Sequence, residues 1–340
     1  MFKKNFIIIM FILICIFSTS CGYVDNLSED IDNLKEGFSE KDEIEGTEDE
    51  KYESYIVLNN FITAELKESL DYYFGWFGFS ENMKLDEKSN LFKGVFMNFD
   101  KEEIELSLKC YSKKPFLNGV DDNVKNLHAK LEKIIDLLDQ VDTYFKLKAY
   151  VDDDFAKGKE LHREIYLQYN EFKPLAEEFV NNFNEALHEK RIKDLKYFKE
   201  QDFMIRYYAL SCIIKAEELK DTFYKRGINS GNMDDLDMEE FNERYGSLVK
   251  DISKFLEYSE DEDRIKREGL EDNSIDLDVL RSRIIDMKAA TTDILVRAKQ
   301  EKDIDNEQKT YKIHESSNRG TLKYYDEKIR EVVKYYVLIK

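Results

Sequence analysis

The segment Val124 to Phe145 places apolar residues at Val124, Leu127, Leu131, Ile134, Leu138, Val141 and Phe145, alternating steps of three and four without a miss. Only a helix gathers that spacing onto one face, so the run predicts a long helix with a single narrow apolar seam. The spacing recurs at Leu277, Leu280, Ile284, Met287, Thr291, Ile294 and Ala298, and again at Met238, Phe241, Tyr245, Leu248, Ile252 and Phe255. Asp237 with Glu240, and Ser274 with Asp276 and Asp278, supply the acceptors that the free amides of a helix start require. A seam of this kind is stabilised by burial against other seams, which directs the chain towards a bundle.

Further helices follow from Tyr52, Tyr55, Ile62, Leu66 and Tyr73; from Leu161, Ile165, Tyr169, Phe172, Ala176, Phe179 and Phe183; and from Leu322, Tyr325, Ile329, Val332 and Tyr336. The stretch Ile205 to Phe223 is apolar on more than one face and is predicted to lie at the centre of the packing. Pro174 lacks an amide donor and crowds the preceding turn, so a kink or a restart of its helix is expected. With 13 Gly and 2 Pro in 340 residues, the chain is short of the residues that an all-β sandwich or a Rossmann-type α/β fold uses at its turns. The expected fold is all-α: an elongated antiparallel bundle of about seven long helices. Its one irregular insertion falls near residues 75–119, where Gly75, Gly78, Gly94, Pro115 and Gly119 concentrate.

Ahead of the helices, Lys3 and Lys4 precede an unbroken apolar run from Phe6 to Phe17, the pattern of an export signal. As a helix this run reaches about 18 Å, too short for a hydrocarbon core of about 30 Å, so a transmembrane anchor is disfavoured. Ser18, Thr19 and Ser20 lead directly to Cys21 and Gly22, small residues followed by a thiol, as bacterial lipoprotein processing requires. Residues 1–20 are therefore read as a lipoprotein signal peptide and Cys21 as the lipidated, palmitate-bearing mature N-terminus. Residues 21–50 follow with twelve acidic residues against Lys35 and Lys41 only, a composition that predicts a self-repelling tether. The bundle then occupies residues 51–340, on the extracytoplasmic face of the bacterial cell membrane.

The whole chain carries a net charge of −20, from 52 Lys+Arg against 72 Asp+Glu. Such a surface repels nucleic acid and anionic lipid headgroups. After Cys15 and Cys21, only Cys110 and Cys212 remain, too few for a disulfide framework. His128, His162, His188 and His314 form no H-E-x-x-H pattern, because the position four beyond His188 is Ile192 and that beyond His314 is Asn318. Phosphate-binding loops, nucleophile elbows and C-x-x-C pairs are likewise missing, so no metal, cofactor or catalytic residue is nominated. Asp152, Asp153 and Asp154 lack the EF-hand spacing and read as helix-capping acids.

The aromatic run Tyr72, Tyr73, Phe74, Trp76, Phe77 and Phe79 is denser than one helix face can bury, and Gly75 and Gly78 interrupt it. Trp76, Phe77 and Phe79 are therefore the candidate binding residues, suited to an envelope protein or a hydrophobic ligand.

Three stretches resemble one bacterial family: K-Y-E-S-Y-I-V-L-N-N-F at Lys51–Phe61, Y-V-D-D-D-F-A-K-G-K-E-L-H at Tyr150–His162, and L-K-Y-Y-D-E-K-I-R-E-V-V-K-Y-Y at Leu322–Tyr336. The chain resembles the YiiG-like lipoproteins, helical proteins of unknown function. That resemblance implies an exported helical lipoprotein and carries over no catalytic residue. The expected function is a membrane-tethered, non-catalytic binding or interaction module of the cell envelope. The alternatives are a cell-wall glycan hydrolase using paired carboxylates and, third, a solute-binding lipoprotein.

Overall fold

A computed structural model describes residues 47–95, 99–229, 231–302 and 319–339. The signal peptide, Cys21 and nearly all of the tether lie outside the described residues. The fold is all-α, and no strand occurs among the described residues.

Helix α1 (Glu48–Asn60) starts within the last residues assigned to the tether. Thr47 and Glu50 form a reciprocal capping box there, the Glu50 amide donating to the Thr47 hydroxyl at 3.1 Å and the Thr47 amide to the Glu50 carboxylate at 2.7 Å. The helix passes through a π-helical turn (Phe61–Leu66) directly into α2 (Lys67–Phe77). Gly78, at φ 80°, ends α2, in a region of backbone space that side chains with a Cβ rarely enter. The expected insertion contains α3 (Lys101–Lys109), capped by Asp100, between irregular stretches.

The seam helix α4 (Val120–Lys146) packs along α6 (Ala156–Glu200), with the short α5 (Tyr150–Asp153) at the corner between them. Every residue of the α4 seam is buried. Helix α6 has 45 residues and so reaches about 67 Å at 1.5 Å per residue. Pro174 lies inside it without restarting it. Its missing amide removes one bond of the ladder, while Phe172, Ala176 and Phe179 on either side are held in the core.

Helices α7 (Met204–Lys225), α8 (Met238–Ser259), the short α9 (Glu262–Arg267), α10 (Ser274–Lys302) and α11 (Leu322–Ile339) complete the bundle. Helix α7 packs against α6, α8 and α11, which fits its two apolar faces, and α10 pairs with α11. The α10 seam, Leu277 to Ala298, has no exposed area at any of its seven positions.

Two apolar cores result. The first runs from Tyr52 to Phe183, the second from Phe198 to Ile339. Helix α6 contributes to both, and the half-buried Ile56 of α1 touches both.

Candidate functional site

Between Phe183 and Phe198 the apolar seam of α6 thins to the half-buried Ala186, Leu187 and Leu195, and the buried residue of that interval is Arg191. Two helices packed over a polar interval cannot close on it as they close on a seam. A cleft of about 590 Å³ opens there, walled by α1, α6, α7 and α11. Ile56, Asn59, Asn60 and Thr63 come from α1 and the π-helical turn; Asn184, His188 and Arg191 from α6; Glu217, Lys220 and Asp221 from α7; and Asp326, Ile329, Arg330 and Val333 from α11. Thr63 belongs to the π-helical turn itself, a distortion that proteins retain most often beside functional sites.

The basic groups of the cleft are tied into its walls. Arg191 pairs with Glu217, fastening α6 to α7. Lys220 donates to Asp326 at 2.9 Å, and Asp326 also receives Arg330 from one turn further along α11. Burial opposes charge on the Lys220 amine, but the Asp326 carboxylate outweighs it and lifts the lysine above its usual range. The amine is therefore a fixed cation of the wall. On the opposite wall Asn59 and Asn60 stand with Thr63, and the Asn59 Oδ1 atom is buried with no hydrogen-bond partner. One wall thus offers neutral amide and hydroxyl groups, and the other a charge network.

The sequence-nominated aromatics lie elsewhere and divide. Phe77 falls in register with Leu66, Leu70 and Tyr73, has no exposed area, and stacks on Phe145 at 5.3 Å. It is a core residue, and its assignment to a binding surface is corrected. Trp76 is half-buried against Tyr72 and Phe92. Phe79 is 55% exposed and meets Phe74, Tyr166 and Tyr169 edge-on.

Sequence reasoning missed the cleft altogether. The signal that could have found it is Arg191 standing among Leu187, Leu195 and Phe198 on the packed face of a helix that continues to Glu200.

The stretches that suggested a family resemblance serve as internal anchors. Lys51 is buried and donates to Asp121 at 2.7 Å and to the carbonyls of Lys113 and Pro115 at 2.8 and 3.0 Å. Tyr55 donates to the other Asp121 oxygen at 2.6 Å. His162 donates from Nε2 to the Ser80 carbonyl at 2.8 Å, which leaves Nδ1 to accept from the Tyr73 hydroxyl at 3.1 Å. Gly158 lies where an added Cβ would stand 3.0 Å from the Tyr144 ring, so it lets α6 approach α4. Asp153 receives the Tyr144 hydroxyl at 2.7 Å and the Lys157 amide at 2.9 Å, so one member of the acidic cluster satisfies a free amide of α6, although Phe155 holds the N-cap position and no acid falls in the first turn. Among the described residues no group of His, Cys, Asp and Glu is placed to hold a metal, and no helix is long and apolar enough to cross a membrane.

These features define an all-α bundle with two cores and a polar cleft at their junction. The family of proteins of unknown function DUF3829 matches residues 47–337, from the N-cap of α1 almost to the end of α11, and the chain belongs to that family. Among curated proteins it is similar to the uncharacterized protein YiiG of Escherichia coli (strain K12), at 24% identity over 177 residues covering 51% of this chain and 50% of that protein. The chain therefore spans about half the length of that relative. No solved structure matches.

Proposed function

We propose that the protein is a non-catalytic binding module of the cell envelope, held on the extracytoplasmic face by lipid on Cys21, and that it takes its ligand in the cleft between the two cores. The observation that carries this reading is the cleft. Its volume is that of a small-ligand site, and its Lys and Arg groups are fixed by Glu217 and Asp326, which presets the geometry of those walls. Glu217 and Asp326, two of the four carboxylates that line the cleft, are both engaged in internal ion pairs. The tether and signal pattern supply the address, and the acidic surface favours partners that are not themselves anionic. The exposed Phe79, with Trp76 beside the same helix end, forms a second contact surface for a protein or apolar partner.

Two measurements test the reading. Cys21→Ala should move the protein from the membrane fraction to the soluble fraction; equal membrane retention would remove the lipid anchor from the proposal. A photo-crosslinking side chain at Asn60 should capture an envelope component in cells, while one at Lys196, on the exposed face of α6, should not. A Thr63→Trp variant, which fills the cleft, should abolish the adduct. An adduct that survives Thr63→Trp places binding outside the cleft.

A further inference from the structure

The cleft's chemistry narrows its ligand, an inference that rests on the cleft being the binding site. We propose that it selects a ligand bearing a protonated amine, with a short cationic peptide as its class, over anions and neutral sugars. The first support is charge. Three basic side chains line the cleft against four acidic ones, Glu185, Glu217, Asp221 and Asp326. All three basic groups are paired with Glu217 or Asp326. Glu185 and Asp221 pair with no basic side chain among the described residues, so the charge left to face an incoming ligand is negative. A phosphate or carboxylate ligand would have to displace an existing ion pair, whereas an ammonium meets open acceptors.

The second support is hydrogen bonding. Asn59, Asn60 and Thr63 line the cleft with neutral amide and hydroxyl groups, whose oxygens are of the kind that accept from a peptide N–H or an ammonium. The third is shape. Tyr224 is the one Tyr, Phe or Trp among the lining residues and His188 the one imidazole, while Ile56, Ile214, Ile329 and Val333 offer aliphatic surface for the methylene stem of a lysine side chain. Apolar stem and charged head are thus both provided for within one cavity.

Titration calorimetry on the full chain in detergent, with Ala-Lys-Ala and Ala-Glu-Ala, each acetylated at its N-terminus and amidated at its C-terminus, and cellobiose as probes, tests the class. Ala-Lys-Ala should bind with a Kd of about a millimolar or tighter, and the other two more weakly by about tenfold or more. Asp221→Asn and Glu185→Gln are substitutions at exposed positions that leave the fold intact, and each should weaken Ala-Lys-Ala about fivefold, as loss of one charge-assisted contact predicts. Thr63→Trp should abolish binding. If Ala-Glu-Ala or cellobiose binds more tightly than Ala-Lys-Ala and Thr63→Trp abolishes that binding, the cleft stands as the site and the ligand class is overturned. If Ala-Lys-Ala binds but neither acidic variant nor Thr63→Trp changes its affinity, or if none of the probes binds, the inference fails; binding that ignores Thr63→Trp also counts against the cleft.

Discussion

The two cores are built from different materials. The first is aromatic: Phe179 and Phe183 stack at 5.7 Å, Tyr55 meets both edge-on, and Phe145 gathers Phe77 and Phe92. The second rests on the aliphatic seam of α10, with a smaller aromatic set in which Phe223 meets Phe241 and Tyr325. Their buried polar groups differ as well. In the first core, Lys51, His162 and Tyr150 reach across the fold to carbonyls of irregular backbone at Lys113, Pro115, Ser80 and Asn90. In the second, they join helices to one another: Glu268 accepts from the Ile205 and Arg206 amides that open α7, Arg281 donates to the Ser259 carbonyl that closes α8, and Ser211 of α7 donates to Asp251 of α8. The difference follows from the chain each core encloses. Helices satisfy their own backbone except at the termini, whereas a non-helical insertion leaves carbonyls that only long-range donors can satisfy, and large rings fill its uneven volume.

The largest expected effect tests whether two such different cores behave as one folding unit. Leu131→Asp in the first and Leu280→Asp in the second each bury an unpaired charge in a fully enclosed seam, at a cost of about 4 kcal/mol or more. Because α6 supplies Phe179 and Phe183 to one core and Phe198 to the other, each substitution should shift a single denaturation transition for the whole bundle. A biphasic curve with one unaffected phase would show that the cores unfold separately.

Lys51→Met sharpens the contrast in polar anchoring. The variant leaves the Asp121 carboxylate and the carbonyls of Lys113 and Pro115 without their shared cation, and loss of one partner of a buried pair costs about 3 kcal/mol. Hydrogen exchange should rise around residues 113–121 and in α1, with the α10 seam near its original protection. Equal loss of protection along Leu277–Ala298 would mean that Lys51 supports the fold as a whole and not the insertion.

The second core was the more legible of the two in sequence, and for the same reason. Its seams alternate steps of three and four, and each such residue reports its own burial through spacing alone. Lys51, by contrast, reads as an ordinary charged residue at the start of a helix; its burial depends on carbonyls more than sixty positions away. Phe77 and Phe79 read alike as members of an aromatic run, yet one continues the Leu66–Leu70–Tyr73 register and the other follows Gly78, where the helix has already ended. The cleft escaped because it is made by what a seam omits, and spacing rules register apolar residues that are present. Of the kink or restart expected at Pro174, the restart does not occur, since a local penalty at one turn is small beside the burial of Phe172 and Phe179 around it.

The smallest effect concerns His162, where the anchor of the first core is titratable. Burial holds its pKa below the ordinary value near 6.5, and the bond to the Ser80 carbonyl offsets this only in part. The neutral ring fits the geometry, because Nδ1 must stay unprotonated to accept from Tyr73, whose own hydroxyl is kept protonated by burial. A histidine with a depressed pKa binds fewer protons in the folded state than in the unfolded one. Its contribution is therefore complete above about pH 6.5 and is lost as the pH falls below that value, since protonation of the unfolded chain draws the equilibrium away from the fold. The carboxylates of so acidic a protein add their own acid sensitivity, so the comparison has to be made between the parent and His162→Gln over pH 7 to 5. The variant should be less stable at pH 7 and should lose less on acidification. Parallel slopes for the parent and His162→Gln would show that the ring titrates in the folded protein as freely as in the unfolded one, and that its bridge between Tyr73 and Ser80 does not depend on the neutral form.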